Sequence, residues 1–169
     1  MFRKFFVSIF FLFLIGFSGV YTPSSYSLEF DHIESLFDIR SSIASQGQVL
    51  PDSIRASAGN DVRILERIFE LNTSALTTIE AYFRIFKVTF ATKEGLTQAT
   101  NKILNEWLAF VNNQCQFDIE YLKETLNEAK SEDTKRQIEI SKRNIEKLAN
   151  ITKQGITENE DMLRKLTKE

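Results

Sequence analysis

AYFRIFKVTF, residues 81–90, decides how this chain folds. Its second half alternates, with Phe86, Val88 and Phe90 against Lys87 and Thr89, the period of a half-buried strand. Its first half crowds Tyr82, Phe83, Ile85 and Phe86 together, as a broad helical face does. Steps of three and four choose between them. From Val62 they land on Leu65, Phe69, Asn72, Leu76, Ile79, Phe83, Phe86 and Phe90, apolar everywhere except at Asn72. A strand has no reason to keep that period over four heptads, so AYFRIFKVTF is the end of a helix. Ile68, Ala75 and Tyr82 widen its apolar side. Asn60 or Asp61 is placed to cap its start, and the register fails at Lys93, just before Gly95.

Outward from this helix the chain stays helical. Between residues 52 and 169 there is no proline, and the only glycines are Gly59, Gly95 and Gly155, too few turn residues for a strand-rich fold. Residues 97–130 form a second long helix. Ile103, Trp107, Phe110, Phe117 and Tyr121 lie along one line of it, interrupted by Gln114, and Leu104, Leu108, Val111, Cys115 and Leu122 lie beside them. That face is wider than a two-stranded seam, so the helix meets more than one neighbour. Ser131 either caps a new helix or sits inside a continuing one. From 134 to 153 the apolar pattern thins to Ile138, Ile145, Leu148 and Ile151, with Glu132/Arg136 and Glu139/Arg143 spaced as on an exposed helix. Gly155 then breaks the chain before a tail helix over 156–169. On the other side, Phe30, Ile33, Phe37 and Ala44 mark a short helix ending near Gly47, and 47–60 reads as a loosely ordered linker.

The expected fold is therefore all-α: an antiparallel helical bundle built on a long helical hairpin, about 61–93 and 97–130, with shorter flanking helices. The expected divisions are 1–27, a signal peptide; 28–60, the short helix and linker; 61–155, the hairpin and a charged helix; and 156–169, the tail. Residues 1–27 have the order of a secretory signal: Arg3 and Lys4, the apolar run FFVSIFFLFLIGF, then the polar YTPSSYS, with cleavage after Ser27. The run is short for a membrane span, so secretion to a periplasmic or extracellular space is expected, with anchoring by an uncleaved segment as the alternative. The chain carries 21 basic and 23 acidic residues, and removing Arg3 and Lys4 leaves a net charge of −4 (19 − 23). So mild a charge argues against nucleic acid as a partner.

Chemistry is sparse. His32 is the single histidine, which excludes a two-histidine zinc motif, and it reads as an exposed residue at a helix start. Neither a phosphate-binding glycine loop nor a CxxC pair occurs, and Cys115 reads as a buried thiol. Glu80 and Glu106 interrupt apolar surroundings and are the candidates for a carboxylate hydrolase. Asn72 begins an Asn-Thr-Ser tripeptide and Asn150 an Asn-Ile-Thr, but a seam position suits Asn72 to fixing helix register instead. No cofactor, metal or catalytic residue is expected. Phe69, Asn72, Phe83, Phe86, Phe90, Trp107, Phe110 and Phe117 are the expected core or apolar interface, and Phe83 and Phe86 are expected to meet Trp107 across the hairpin. The resulting expectation is an exported, non-enzymatic coiled-coil-like protein that binds a protein partner or itself, in an envelope or surface assembly. The alternatives are a carrier of a fatty acid or other apolar ligand and, last, the hydrolase.

Overall fold

The computed structural model describes residues 30–91, 95 and 97–166; the expected signal peptide lies outside them. Among the described residues five α-helices follow in order: α1 (Asp31–Gln46), α2 (Asp52–Ser57), α3 (Val62–Thr89), α4 (Gln98–Glu128) and α5 (Glu132–Leu166), with a 3₁₀ turn at Gly59–Asp61. No strand occurs among the described residues. α1, α3, α4 and α5 run alternately up and down as an antiparallel bundle. α5 packs on all three others, and α4 and α5 are the most intimate pair. AYFRIFKVTF is helical through Thr89, and Thr89 and Tyr82 point inward.

The last helix differs from expectation. It is one uninterrupted helix of 35 residues, longer than either member of the expected hairpin, and it passes straight through Gly155. Steps of three and four along it land on Thr134, Ile138, Ser141, Ile145, Leu148, Thr152, Gly155 and Asn159, all of them buried. Five of those eight residues are small or polar, so counting apolar residues alone makes the seam look exposed. Small residues let α5 approach its neighbours closely. A Cβ at Gly155 would lie 2.8 Å from His32 Cδ2 and 2.9 Å from Leu108 Cδ1, so glycine is there for space between helices. On its outer side Glu132 and Glu139 pair with Lys135 and Lys142 rather than with the expected arginines.

The helix ends are set by specific bonds. Thr97 caps α4, and Thr97 and Thr100 close a reciprocal box. Asp61 does not cap α3 with its side chain. It reaches across to the break between α4 and α5, where its carboxylate accepts from the backbone N–H groups of Lys130 (3.1 Å) and Ser131 (2.7 Å). The hydrogen bond from Ser131 is the main reason its pKa lies below the usual carboxylate value. The helix therefore does break before Ser131, and a residue from the far end of α3 holds the break. α1 ends at Gly47, whose φ of 91° lies in the left-handed region that favours glycine. The segment expected as a loose linker contains α2 and buries Leu50 against the core.

Candidate functional site

Two constellations of side chains stand out, one sealed inside the bundle and one on its surface. The sealed one is centred on His32, which sequence reasoning placed in solvent. Its side chain is 0 % exposed. Nδ1 donates to Glu158 Oε2 at 2.6 Å, and the same carboxylate oxygen accepts from the His32 backbone N–H at 3.1 Å. Nε2 then accepts from the Tyr82 hydroxyl at 2.9 Å. Asn159 Nδ2 donates to the Tyr82 oxygen at 3.3 Å and to Asn105 Oδ1 at 3.1 Å. Phe30 and Phe86 flank the imidazole edge-to-face, with centroids 5.6 and 6.0 Å away.

Burial holds the His32 pKa below its ordinary value, and the contacts with Glu158 only partly offset this. Burial also works to raise the pKa of Glu158, but the hydrogen bonds from the His32 ring and backbone and from Gln154 outweigh it, so that carboxyl titrates low. The consistent state is a neutral imidazole beside a carboxylate. Tyr82 is pushed well above the usual tyrosine value by burial. A histidine between a carboxylate and a hydroxyl has the outline of a nucleophilic relay. Here the hydroxyl belongs to a tyrosine that is 1 % exposed and closed off from solvent. The cluster is a latch that ties α1, α3, α4 and α5 together at one end of the bundle.

The surface constellation lies on α4. Its inner line, Leu104, Leu108, Val111, Cys115, Ile119 and Leu122, is buried, and burial pushes the Cys115 thiol up to about 12. The neighbouring line turns outward. Ile103 is 53 % exposed, Phe110 60 % and Phe117 71 %, and Tyr121 is open at 36 %. Trp107 is half-buried and pairs with Phe110 at 6.2 Å, and Arg67 from α3 lies 5.8 Å from the centre of the Tyr121 ring. Gln114 interrupts the line and donates to Asp118 at 3.0 Å, a carboxyl whose pKa burial raises. From Ile103 to Tyr121 the stripe is about 27 Å long.

The eight expected core or interface residues thus divide. Phe69 and Asn72 are buried, while Phe83, Phe86, Phe90 and Trp107 are partly buried against the core. Phe110 and Phe117 form the surface. The expected ring contacts of Phe83 and Phe86 are made with other partners than Trp107. Phe83 stacks on Phe37 at 4.3 Å, and Phe86 packs on Phe30 and Phe90, because α1 covers that side of α3. Asn72 donates to the Gly47 carbonyl and accepts from Ser141, which ties the end of α1 to α3 and α5. At 1 % exposure it is no glycan acceptor, whereas Asn150 is exposed. Glu80 pairs with Arg40, and Glu106 lies 3.7 Å from Lys102, both on the surface. Among the described residues no group of three or more His, Cys, Asp or Glu is placed to hold a metal, and no helix is long and apolar enough to cross a membrane.

Comparison with known proteins finds no matching family model, no matching curated protein and no matching solved structure.

Proposed function

We propose that this is an exported, non-enzymatic helical protein that works by protein–protein interaction, as a component of an envelope or surface assembly. The observation that carries the reading is the α4 stripe: three large apolar side chains more than half exposed, in helical register, on a helix whose other face is fully packed. Contiguous apolar surface of this kind marks interaction sites, because leaving it in water forgoes about 25 cal/mol per Å². Export is supported by the order of residues 1–27, basic then apolar then small and polar.

The absence of catalysis is supported by the sealing of His32 and Tyr82 away from solvent. The carrier reading has less support, because a roomy cleft, ≈ 660 Å³ beside Leu50 and Phe69, is open to solvent and walled by Arg55, Glu66 and Glu70. The space enclosed by Leu36, Ile79, Tyr82, Leu108 and their neighbours is ≈ 10 Å³. That is about the room for one water, far from an acyl chain.

A photo-crosslinking residue at Phe117, introduced in the organism that makes the protein, tests this. A discrete adduct formed at Phe117 and not at Lys147, exposed on α5, is expected. Equal adducts at both positions, or none at either, would remove the stripe as a docking surface.

A further inference from the structure

We infer that the partner seated on the α4 stripe is an amphipathic helix with a lysine- or arginine-bearing edge, and not a second copy of this chain. The inference rests on the interaction reading above and adds the partner's chemistry. It comes from the residues that border the stripe. Three positions after Ile103, Phe110, Phe117 and Tyr121 come Glu106, Asn113, Glu120 and Glu124, which therefore line one edge; all four are exposed. Lys102 is the cation of that edge, and it is held near Glu106. Glu120 and Glu124 have no ion pair among the described residues. Lys123 is exposed but stands behind that edge, in line with Ile119 and Leu126, and has no ion pair to Glu120 or Glu124 among the described residues. The stripe is thus apolar with an acidic border, and its period of three and four is the one a helix matches.

Charges at such borders select the partner and its orientation. A two-fold antiparallel pair of copies centred on Gln114 sets the acidic edge against itself, with Glu106 of one copy near Glu120 of the other. A parallel pair sets it against the opposite edge, where Leu104 and Val111 belong to the core and Asp118 is another acid. The cation there is Arg67, already bonded to Glu70 at 2.9 Å and lying over Tyr121. The antiparallel self-pairing opposes like charges, and the parallel one offers the acidic edge only an arginine that already has a carboxylate partner. A foreign helix with a basic edge opposes unlike charges and covers the same rings.

Trp107 is the only tryptophan of the chain and sits in the stripe, so its emission reports coverage directly. Two synthetic helical peptides of about 21 residues, long enough to span the stripe, serve as probes. They share one Leu/Ile seam, lack tryptophan, and carry either lysine or glutamate along the edge. The lysine peptide should shift Trp107 emission to the blue and saturate. Its affinity should exceed that of the glutamate peptide by at least about tenfold at low salt, with the gap closing as salt rises from about 0.05 to 0.5 M. A Phe110→Ser/Phe117→Ser variant should lose the response. Equal affinity for both peptides, lost in the variant, would overturn the basic-edge inference and leave the docking surface standing. Concentration-dependent dimerisation in sedimentation, abolished by Phe117→Ser, would put a second copy in its place. Binding of neither peptide would overturn the inference and the interaction reading together.

Discussion

The ring cluster around His32 and the ring stripe on α4 use the same kind of side chain to opposite ends. Around His32 the polar atoms of the imidazole and of the Tyr82 hydroxyl have partners, and Phe30 and Phe86 stand edge-on to the ring. Apart from Phe30, those contacts come from residues far apart in the chain, so they exist only when the bundle has the right pairing. Along α4, Phe110 and Phe117 are mostly in water, and Phe110 pairs with Trp107, which is itself partly buried against the core. The first arrangement gives stability and specificity to one fold. The second leaves apolar surface unused by the fold, which is what an interaction needs. α4 contains both: its leucine line serves the core and its aromatic line faces out.

Substitutions on the two faces of α4 should differ most. Leu108→Ala, at a side chain 1 % exposed that also touches the space kept by Gly155, should cost about 2 to 5 kcal/mol in denaturant unfolding. A loss under about 1 kcal/mol would mean the inner line is not the core. Gly155→Ala tests the latch. Alanine favours a helix by about 1 kcal/mol, but its Cβ would collide with a His32 ring bonded on both sides and with Leu108. A net loss of about 1 to 2 kcal/mol is expected from overpacking. A gain would show that Gly155 keeps no space for the ring.

The pH dependence is smaller, and its sign follows from the direction of the shifts. Folded His32 titrates below 6.5, so the unfolded chain takes up a proton first as pH falls. Stability is full above about pH 6.5 and declines below it, by at most about 1.4 kcal/mol per unit. Asp61 and Glu158, both lowered, contribute stability above their unfolded values that fades as pH falls through the folded ones, at more acidic pH. Unfolding midpoints at pH 5, 6 and 7.5 should slope downward toward acid, and His32→Gln should flatten the part between about 5 and 6.5. An unchanged slope in that variant would mean His32 is not the titrating group.

How far these features were legible in the sequence follows from what each buried face is made of. α3 announces itself because its seam is apolar, and Asn72 is a single exception. α5 hides, because Thr134, Ser141, Thr152, Gly155 and Asn159 fill its seam and hydrophobic counting passes over them. The two lines of α4 are visible as apolar, but periodicity alone does not say which one faces inward. That depends on where α5 docks. His32 was out of reach for a related reason: Tyr82 lies 50 and Glu158 126 positions away, so nothing in its neighbourhood of the chain signals burial. Asp61 reads as a cap for its own helix, yet its side chain makes no bond there, and the helix break it holds is 69 residues on.

The smallest expected effect is the most direct test of the account, that the outer line of α4 is surface kept free of the fold. The double variant Phe110→Ser/Phe117→Ser should unfold in denaturant within about 1 kcal/mol of the parent, as surface positions do, while Leu108→Ala measured beside it shows the core loss. Removing two phenylalanines that were packed would instead cost more than about 3 kcal/mol, and that result would contradict the account by making the aromatic line part of the core.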